Sequence, residues 1–194
     1  MNPAPTIAIV GRPNTGKSTL FNRLIGKRQA IIADEAGTTR DRLSSKVIIN
    51  GYETILVDTG GLQYGQKDNI EADTQAQALV AIDDADLILF VTDAINNLTT
   101  DDFAAAEILR KAKKPVLLIA NKCDHPNIDE NVYNIYELGL GAPIQISAIH
   151  KIGIEILKDE IVRNFKELKF PKQKTNSKLK EAASNQAPSF LLRK

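Results

Sequence analysis

Eight residues, Gly11-Arg12-Pro13-Asn14-Thr15-Gly16-Lys17-Ser18, separate an apolar, β-branched run at Thr6 to Val10 from a stretch where Leu20, Phe21, Leu24 and Ile25 recur at helical spacing. No other feature restricts the fold as much: a strand, a glycine-bounded loop and a helix must follow one another directly. Glycines let the backbone curl around an anion where a Cβ would stand in the way, and the start of the helix offers unpaired N–H groups with a positive dipole end. The pattern G-x-x-x-x-G-K-[ST] therefore implies a phosphate cradle running from Gly11 to Thr19. In it Lys17 offsets the outer phosphate charge and Ser18 binds Mg²⁺. Gly26 follows the last apolar position and is the expected C-cap.

Later signals point to the base. Asn121-Lys122-Cys123-Asp124 follows the apolar run Val116 to Ala120, which places it at the carboxyl end of a strand, on the same sheet edge as the phosphate loop. A carboxylate at Asp124 can accept hydrogen bonds from the ring N–H and exocyclic amine of guanine. Adenine has an acceptor at that ring position and would leave the charge unpaired. The methylenes of Lys122 can lie against the base, and Asn121 can tie the segment to the phosphate loop. Ser147, Ala148 and Ile149 follow another short strand and offer backbone N–H groups to the guanine oxygen.

Between these ends stand groups suited to a γ-phosphate. Asp58-Thr59-Gly60-Gly61 closes the strand Thr54 to Val57; Asp58 can hold Mg²⁺ through water, and the N–H of Gly60 can meet the phosphate. Upstream, Gly37-Thr38-Thr39-Arg40-Asp41 lies in a polar connection without periodicity. Thr39 is the expected Mg²⁺ ligand, with Thr38 as its competitor. Ser18, Thr39 and Asp58 thus form the expected metal set. Leu62 stands where a water-orienting glutamine would follow in Ras-like proteins, and a leucine cannot orient water by hydrogen bonding.

From Ile7 to about Phe165 the chain resembles the translation-factor-class GTPases of the Era and Der group, and most closely the first GTPase domain of the Der (EngA) family. The resemblance rests on residues 11–18, 37–41, 58–62 and 121–124. It rests also on Tyr-Glu-Leu-Gly-Leu-Gly at 136–141 and Ser-Ala-Ile-His at 147–150. It implies a GTP-hydrolysing switch that acts in maturation of the large ribosomal subunit, on rRNA and ribosomal proteins. A second GTPase domain and an RNA-binding-like domain are expected beyond this chain. It also implies that Asn14 helps bind a potassium ion standing in for an arginine finger, so Asn14, Lys17, Thr39 and Gly60 are the expected catalytic residues. Two other readings stay open: a related potassium-type GTPase of tRNA modification or iron transport, and a nucleotide-gated binding module with negligible hydrolysis.

The expected fold is α/β, a Ras-like P-loop G domain. Strands near 6–10, 44–50, 52–58, 86–92, 115–120 and 143–147 alternate with five helices on both faces of a mostly parallel sheet. Asn50-Gly51 marks a hairpin that supplies the one antiparallel strand. With 43% apolar residues the chain can bury a sizeable core. The expected division is a G domain over 1–171 and a basic linker tail over 172–194, which holds six cations against Glu181 alone. Cys123 is the single cysteine, which excludes an intramolecular disulfide; His125 and His150 lack metal-ligand spacing. No signal segment or membrane-length apolar run is present, so a cytoplasmic location is expected.

Overall fold

In the computed structural model, which describes residues 4–26, 44–60, 79–125 and 129–172, six strands join in one sheet. In chain order the elements are β1 (Thr6–Val10), α1 (Lys17–Ile25), β2 (Ser44–Ile49), β3 (Tyr52–Asp58) and β4 (Leu87–Asp93). They continue with α2 (Thr100–Lys111), β5 (Val116–Asn121), α3 (Asp129–Ile135), a 3₁₀ turn (Tyr136–Leu138), β6 (Ile144–Gln145) and α4 (Ile154–Glu167). Residues 79–84 are helical as well. The sheet order is β2-β3-β1-β4-β5-β6; only β2 and β3 pair antiparallel. Their turn, Asn50-Gly51, has positive φ at both residues (46° and 92°), the backbone that a tight two-residue hairpin requires.

Period-2 alternation along buried strands sorts the core into two layers. Ile7 and Ile9 of β1, with Leu87, Leu89 and Val91 of β4, face Leu20 and Leu24 of α1 and Leu157, Ile161 and Phe165 of α4. Ala8 and Val10, with Ile88 and Phe90, face Ile82, the α2 residues Ala105, Ala106 and Leu109, and Val132 and Ile135 of α3. Both sides of β1 and β4 are covered, so these strands read as unbroken apolar runs.

Parallel registry brings the functional segments to one edge. Ile9 pairs with Asp58 and Asp93 with Asn121, so the ends of β1, β3, β4 and β5 lie side by side. β6 is shorter than the 143–147 expected from sequence. Ile146 still donates to Ala120 O (2.8 Å), and Cys123 to Ile146 O (2.9 Å). Ser147 then turns back to bond Ile152, which ends the ladder and opens the loop that carries Ala148 and Ile149.

α4 closes the first layer with Ile154, Leu157, Ile161 and Phe165 on one stripe, all buried. Phe165 is fully buried between Tyr52 and Phe170, with ring centroids at 5.6 and 5.9 Å. Phe165→Ala should therefore cost about 3–5 kcal/mol in urea unfolding of the ligand-free protein. Ile156→Ala, on the exposed side of the same helix, should stay within about 0.5 kcal/mol. Equal losses would mean that α4 does not pack through this stripe.

Candidate functional site

The phosphate loop wraps the end of β1 because its glycines and Asn14 adopt backbones closed to most residues. Gly11 (φ 152°) passes so close to Val91 O that a Cβ would collide with it; Gly16 (φ 93°) passes equally close to the side-chain amide of Asn121. Asn14 has φ 65° and is exposed. Thr15 is buried, its hydroxyl donating to Arg12 O (3.1 Å). Lys17 is buried as well and donates to the same carbonyl at 2.8 Å. Burial pushes the Lys17 ammonium down to about 8; Asp58 opposes that shift and Arg12 adds to it.

A cavity of about 440 Å³ opens above the loop. Pro13, Asn14, Gly16, Lys17, Ser18 and Thr19 line one end, and Asn121, Lys122, Asp124, Ser147 and Ile149 line the other, with Gly60 at the side. The remaining sequence candidates stand behind this wall. Gly11 and Thr15 shape the loop from beneath, and Arg12 turns its guanidinium away to Asp102 (3.1 Å), so only the Arg12 backbone could serve a phosphate. Thr59 is buried with its hydroxyl on Ile9 O (2.8 Å), which pins the segment leaving β3 to β1.

Ser18 and Asp58 come from α1 and β3 and meet at 2.9 Å, the hydroxyl donating to Oδ2; the other carboxylate oxygen accepts from Gly60 N–H at 3.1 Å. These are hard oxygen donors of the type Mg²⁺ takes. Among the described residues no group of three or more acidic, His or Cys side chains forms a closed metal cage. Thr39, its competitor Thr38, Arg40, Gly61 and Leu62 lie outside the described residues.

At the base end Asn121 is buried and makes two bonds. Nδ2 donates to Thr15 O at 2.8 Å, and Oδ1 accepts from Ala148 N–H at 3.0 Å. The Asp124 carboxylate is exposed, faces Nε2 of His150 at 3.3 Å, and is held below its ordinary range chiefly by a hydrogen bond from Ser147, with His150 and His125 adding to the effect. Cys123 is half-buried; burial pushes its thiol up, as befits a packed residue without reactive character.

Sequence reasoning missed the groups that hold these candidate residues in place. Asp93, buried at the end of β4, accepts Lys122 Nζ at 2.7 Å and also the N–H groups of Ile95 and Asn96 and the Asn96 amide. Burial alone would raise its pKa, yet these donors together hold it below the usual carboxylate value. An acid at a strand end on the site edge was a usable signal. Arg23 of α1 donates to Ala148 O and Ile149 O, both at 2.8 Å, and nothing local in the sequence announces it. Asp102 Oδ2 accepts from Arg12 Nε, and from the N–H (2.9 Å) and hydroxyl (3.0 Å) of Thr99 at the start of α2.

Comparison with known proteins agrees with this geometry. GTPase Der of Levilactobacillus brevis is 45% identical over 163 residues, covering 84% of this chain and 37% of the relative. GTPase Der of Bacteroides fragilis is 52% identical over 160 residues, covering 82% and 37%. The chain thus spans little more than a third of the length of these relatives. A solved structure of Era in complex with MgGDPNP and nucleotides 1506–1542 of 16S ribosomal RNA superposes with a TM-score of 0.69 at 30% identity, covering 88% of this chain and 58% of that one. The family model described as 50S ribosome-binding GTPase matches residues 6–122, from the start of β1 through the phosphate loop to Lys122. The chain belongs to the 50S ribosome-binding GTPase family.

Proposed function

We propose that residues 1–171 form a GTP-hydrolysing switch domain and that residues 172–194 lead out of it. The observation that carries the reading is the pair of side-chain hydrogen bonds of Asn121, which fixes a phosphate loop and a base loop at opposite ends of one cavity. A nucleoside triphosphate has that same division. The loop N–H groups of residues 11–19 and Lys17 hold the phosphates. Asp124 reads the guanine edge, Lys122 lies against the ring, and N–H groups of Ser147, Ala148 and Ile149 meet its carbonyl oxygen.

The residues present fit Mg²⁺: Ser18 would ligate it, Asp58 would hold it through water, and Thr39 would complete the shell. Bound there, the ion would offset charge on the β- and γ-phosphates. Gly60 N–H, now on Asp58, is released toward the γ-phosphate when that carboxylate is engaged elsewhere; Thr59 and Gly61 flank it. Asn14 lines the cavity at the phosphate end, exposed and with its backbone preset, and is the residue we assign to a potassium ion. Loss of γ-phosphate relaxes the segments at 37–41 and 58–61. In the whole protein, which the relatives indicate is longer, this gates docking to the maturing large ribosomal subunit in the cytoplasm. The high identity to Der proteins supports ribosome assembly over tRNA modification. Among the described residues no helix is long and apolar enough to cross a membrane, a feature an iron transporter would need elsewhere.

The base reading is tested by Asp124→Asn. The amide replaces an acceptor with a donor, so affinity should pass from GTP toward xanthosine triphosphate, whose extra carbonyl accepts from it. Unchanged GTP affinity by calorimetry would remove Asp124 from the site.

A second expectation follows from Lys17. Near pH 8 its ammonium is half deprotonated in the free protein, and a bound polyphosphate favours the charged form, so binding takes up protons. Affinity for Mg·GDP should fall as pH rises from 7 to 9, and calorimetry in buffers of different ionisation enthalpy should show net proton uptake at pH 8. Lys17→Ala should abolish that uptake; uptake that persists would place the titrating group elsewhere.

For the chemical step, single-turnover GTP hydrolysis should slow on the order of 10²-fold when potassium is replaced by sodium, the usual cost of losing one transition-state stabiliser. Asn14→Ala should remove the ion dependence with little effect on GTP affinity. Equal rates in both salts would end the potassium assignment.

A further inference from the structure

Arg23 stands on the last turn of α1, one helix away from the base loop, and puts its two hydrogen bonds into that loop. Nε donates to Ala148 O and Nη2 to Ile149 O, each at 2.8 Å, across 125 and 126 residues of sequence. The guanidinium is planar and rigid, so two donors of one fork fix two consecutive carbonyls together, which a lysine cannot do.

The consequence lies on the far side of those peptides. In a trans peptide the C=O of one residue and the N–H of the next point in opposite directions. Holding Ala148 O toward α1 therefore turns Ile149 N–H away from α1. Holding Ile149 O does the same for His150 N–H, which donates to Ser147 Oγ at 3.2 Å. Ala148 N–H is fixed independently by Asn121 Oδ1. Ile149 N–H meets no acceptor among the described residues, while Ile149 and Ser147 line the cavity. The Ser147–Ile152 bridge closes the turn at its ends; between them Ile149 and His150 are exposed, their side chains add no apolar packing to the core, and it is Arg23 that takes up the carbonyls of residues 148 and 149.

We infer that Arg23 is a positioning residue for recognition of the 6-keto oxygen of guanine: it sets the peptide planes of residues 148–150 so that a free N–H is presented to the base. The inference rests on the guanine reading proposed above and adds a determinant to it. Asp124 reads the ring N–H and the 2-amino group; the loop that Arg23 holds reads the oxygen. The two halves of the base edge are then separable by experiment.

Three nucleotides separate them. 6-Thio-GTP keeps both hydrogens that Asp124 reads but replaces the oxygen with a poor acceptor. ITP keeps the oxygen and lacks the 2-amino group. Affinities of the wild-type chain, Arg23→Ala and Arg23→Lys for GTP, 6-thio-GTP and ITP are measured by calorimetry with Mg²⁺. The wild type should prefer GTP over 6-thio-GTP. In Arg23→Ala that preference should fall about tenfold, the equivalent of one well-placed hydrogen bond, while the preference for GTP over ITP is kept. Arg23→Lys, which can hold one carbonyl at a time, should fall between them. Equal weakening of all three nucleotides in Arg23→Ala would reduce Arg23 to a general stabiliser and overturn the inference, as would unchanged affinities or a wild type indifferent to the sulfur. A wild type that binds no GTP, or does not prefer it to ITP, would instead overturn the guanine reading itself.

Discussion

One buried amide holds the two working ends of this molecule at a fixed separation. Asn121 closes β5, and its side chain spans from Thr15 O in the phosphate loop to Ala148 N–H in the base loop. Both partners are backbone groups, so the amide fixes chain paths as well as side-chain positions. The bond to Thr15 depends in turn on Gly16, where any Cβ would occupy the place of the Asn121 nitrogen. A buried amide that lost either partner would carry an unsatisfied group at about 1–3 kcal/mol. An aspartate in its place would lose the donor toward Thr15, and a leucine would lose both bonds. The residue type follows from the need for one donor and one acceptor in a single rigid group.

Around that tie the site is charged in advance of its ligand. Lys17 is buried against a carbonyl, and its ammonium is destabilised enough to bring its pKa to about 8. Between that value and its ordinary 10.5 the unfolded chain binds more protons than the folded one. This lysine therefore opposes folding below about pH 8, and the penalty is relieved as pH rises through that window. A stability cost of this sign is what a preorganised anion site entails: the cation is stripped of water before the phosphate arrives. Asp93 works in the opposite sense. Four donors satisfy its buried carboxylate, and the fourth, Lys122, is thereby held over the base end of the cavity.

How much of this was legible in the sequence depended on whether the determinant was local. The β1 run, the glycine-bounded loop, the apolar period of α1 and the Gly26 C-cap lie within consecutive residues, and the structure shows each of them, with Gly26 N–H on Asn22 O at 3.2 Å. The hairpin at Asn50-Gly51 announced itself through residues suited to positive φ. Strand ends were displaced by a residue or so, since apolar runs do not mark where the ladder stops. β6 was overestimated because Ile144-Gln145-Ile146 alternates apolar and polar as a longer strand would, whereas its pairing is cut short by the turn of Ser147 toward Ile152. The ties made by Arg23 and Arg12 had no local pattern, and Asp93 announced only an acid at a strand end without naming its partner: each tie joins elements between 29 and 126 residues apart, through a side chain that could equally have faced water.

Those distant ties share a direction. Arg12 in the phosphate loop grips Asp102 at the start of α2, Arg23 in α1 grips the base loop, and Lys122 beside the base grips Asp93 at the end of β4. These three cations are each committed to a carboxylate or carbonyl; among the described residues lining the cavity, Lys17 alone is held only by one backbone carbonyl. Among the described residues the cavity therefore presents one lightly held ammonium beside the N–H dipoles of its loop, a combination suited to a polyphosphate rather than to polyanions generally. Asp102 Oδ1, buried with no partner among the described residues, is the residual imperfection of this scheme. Its companion oxygen takes three donors, so one carboxylate both draws the Arg12 guanidinium off the phosphate path and holds Thr99 at the start of α2.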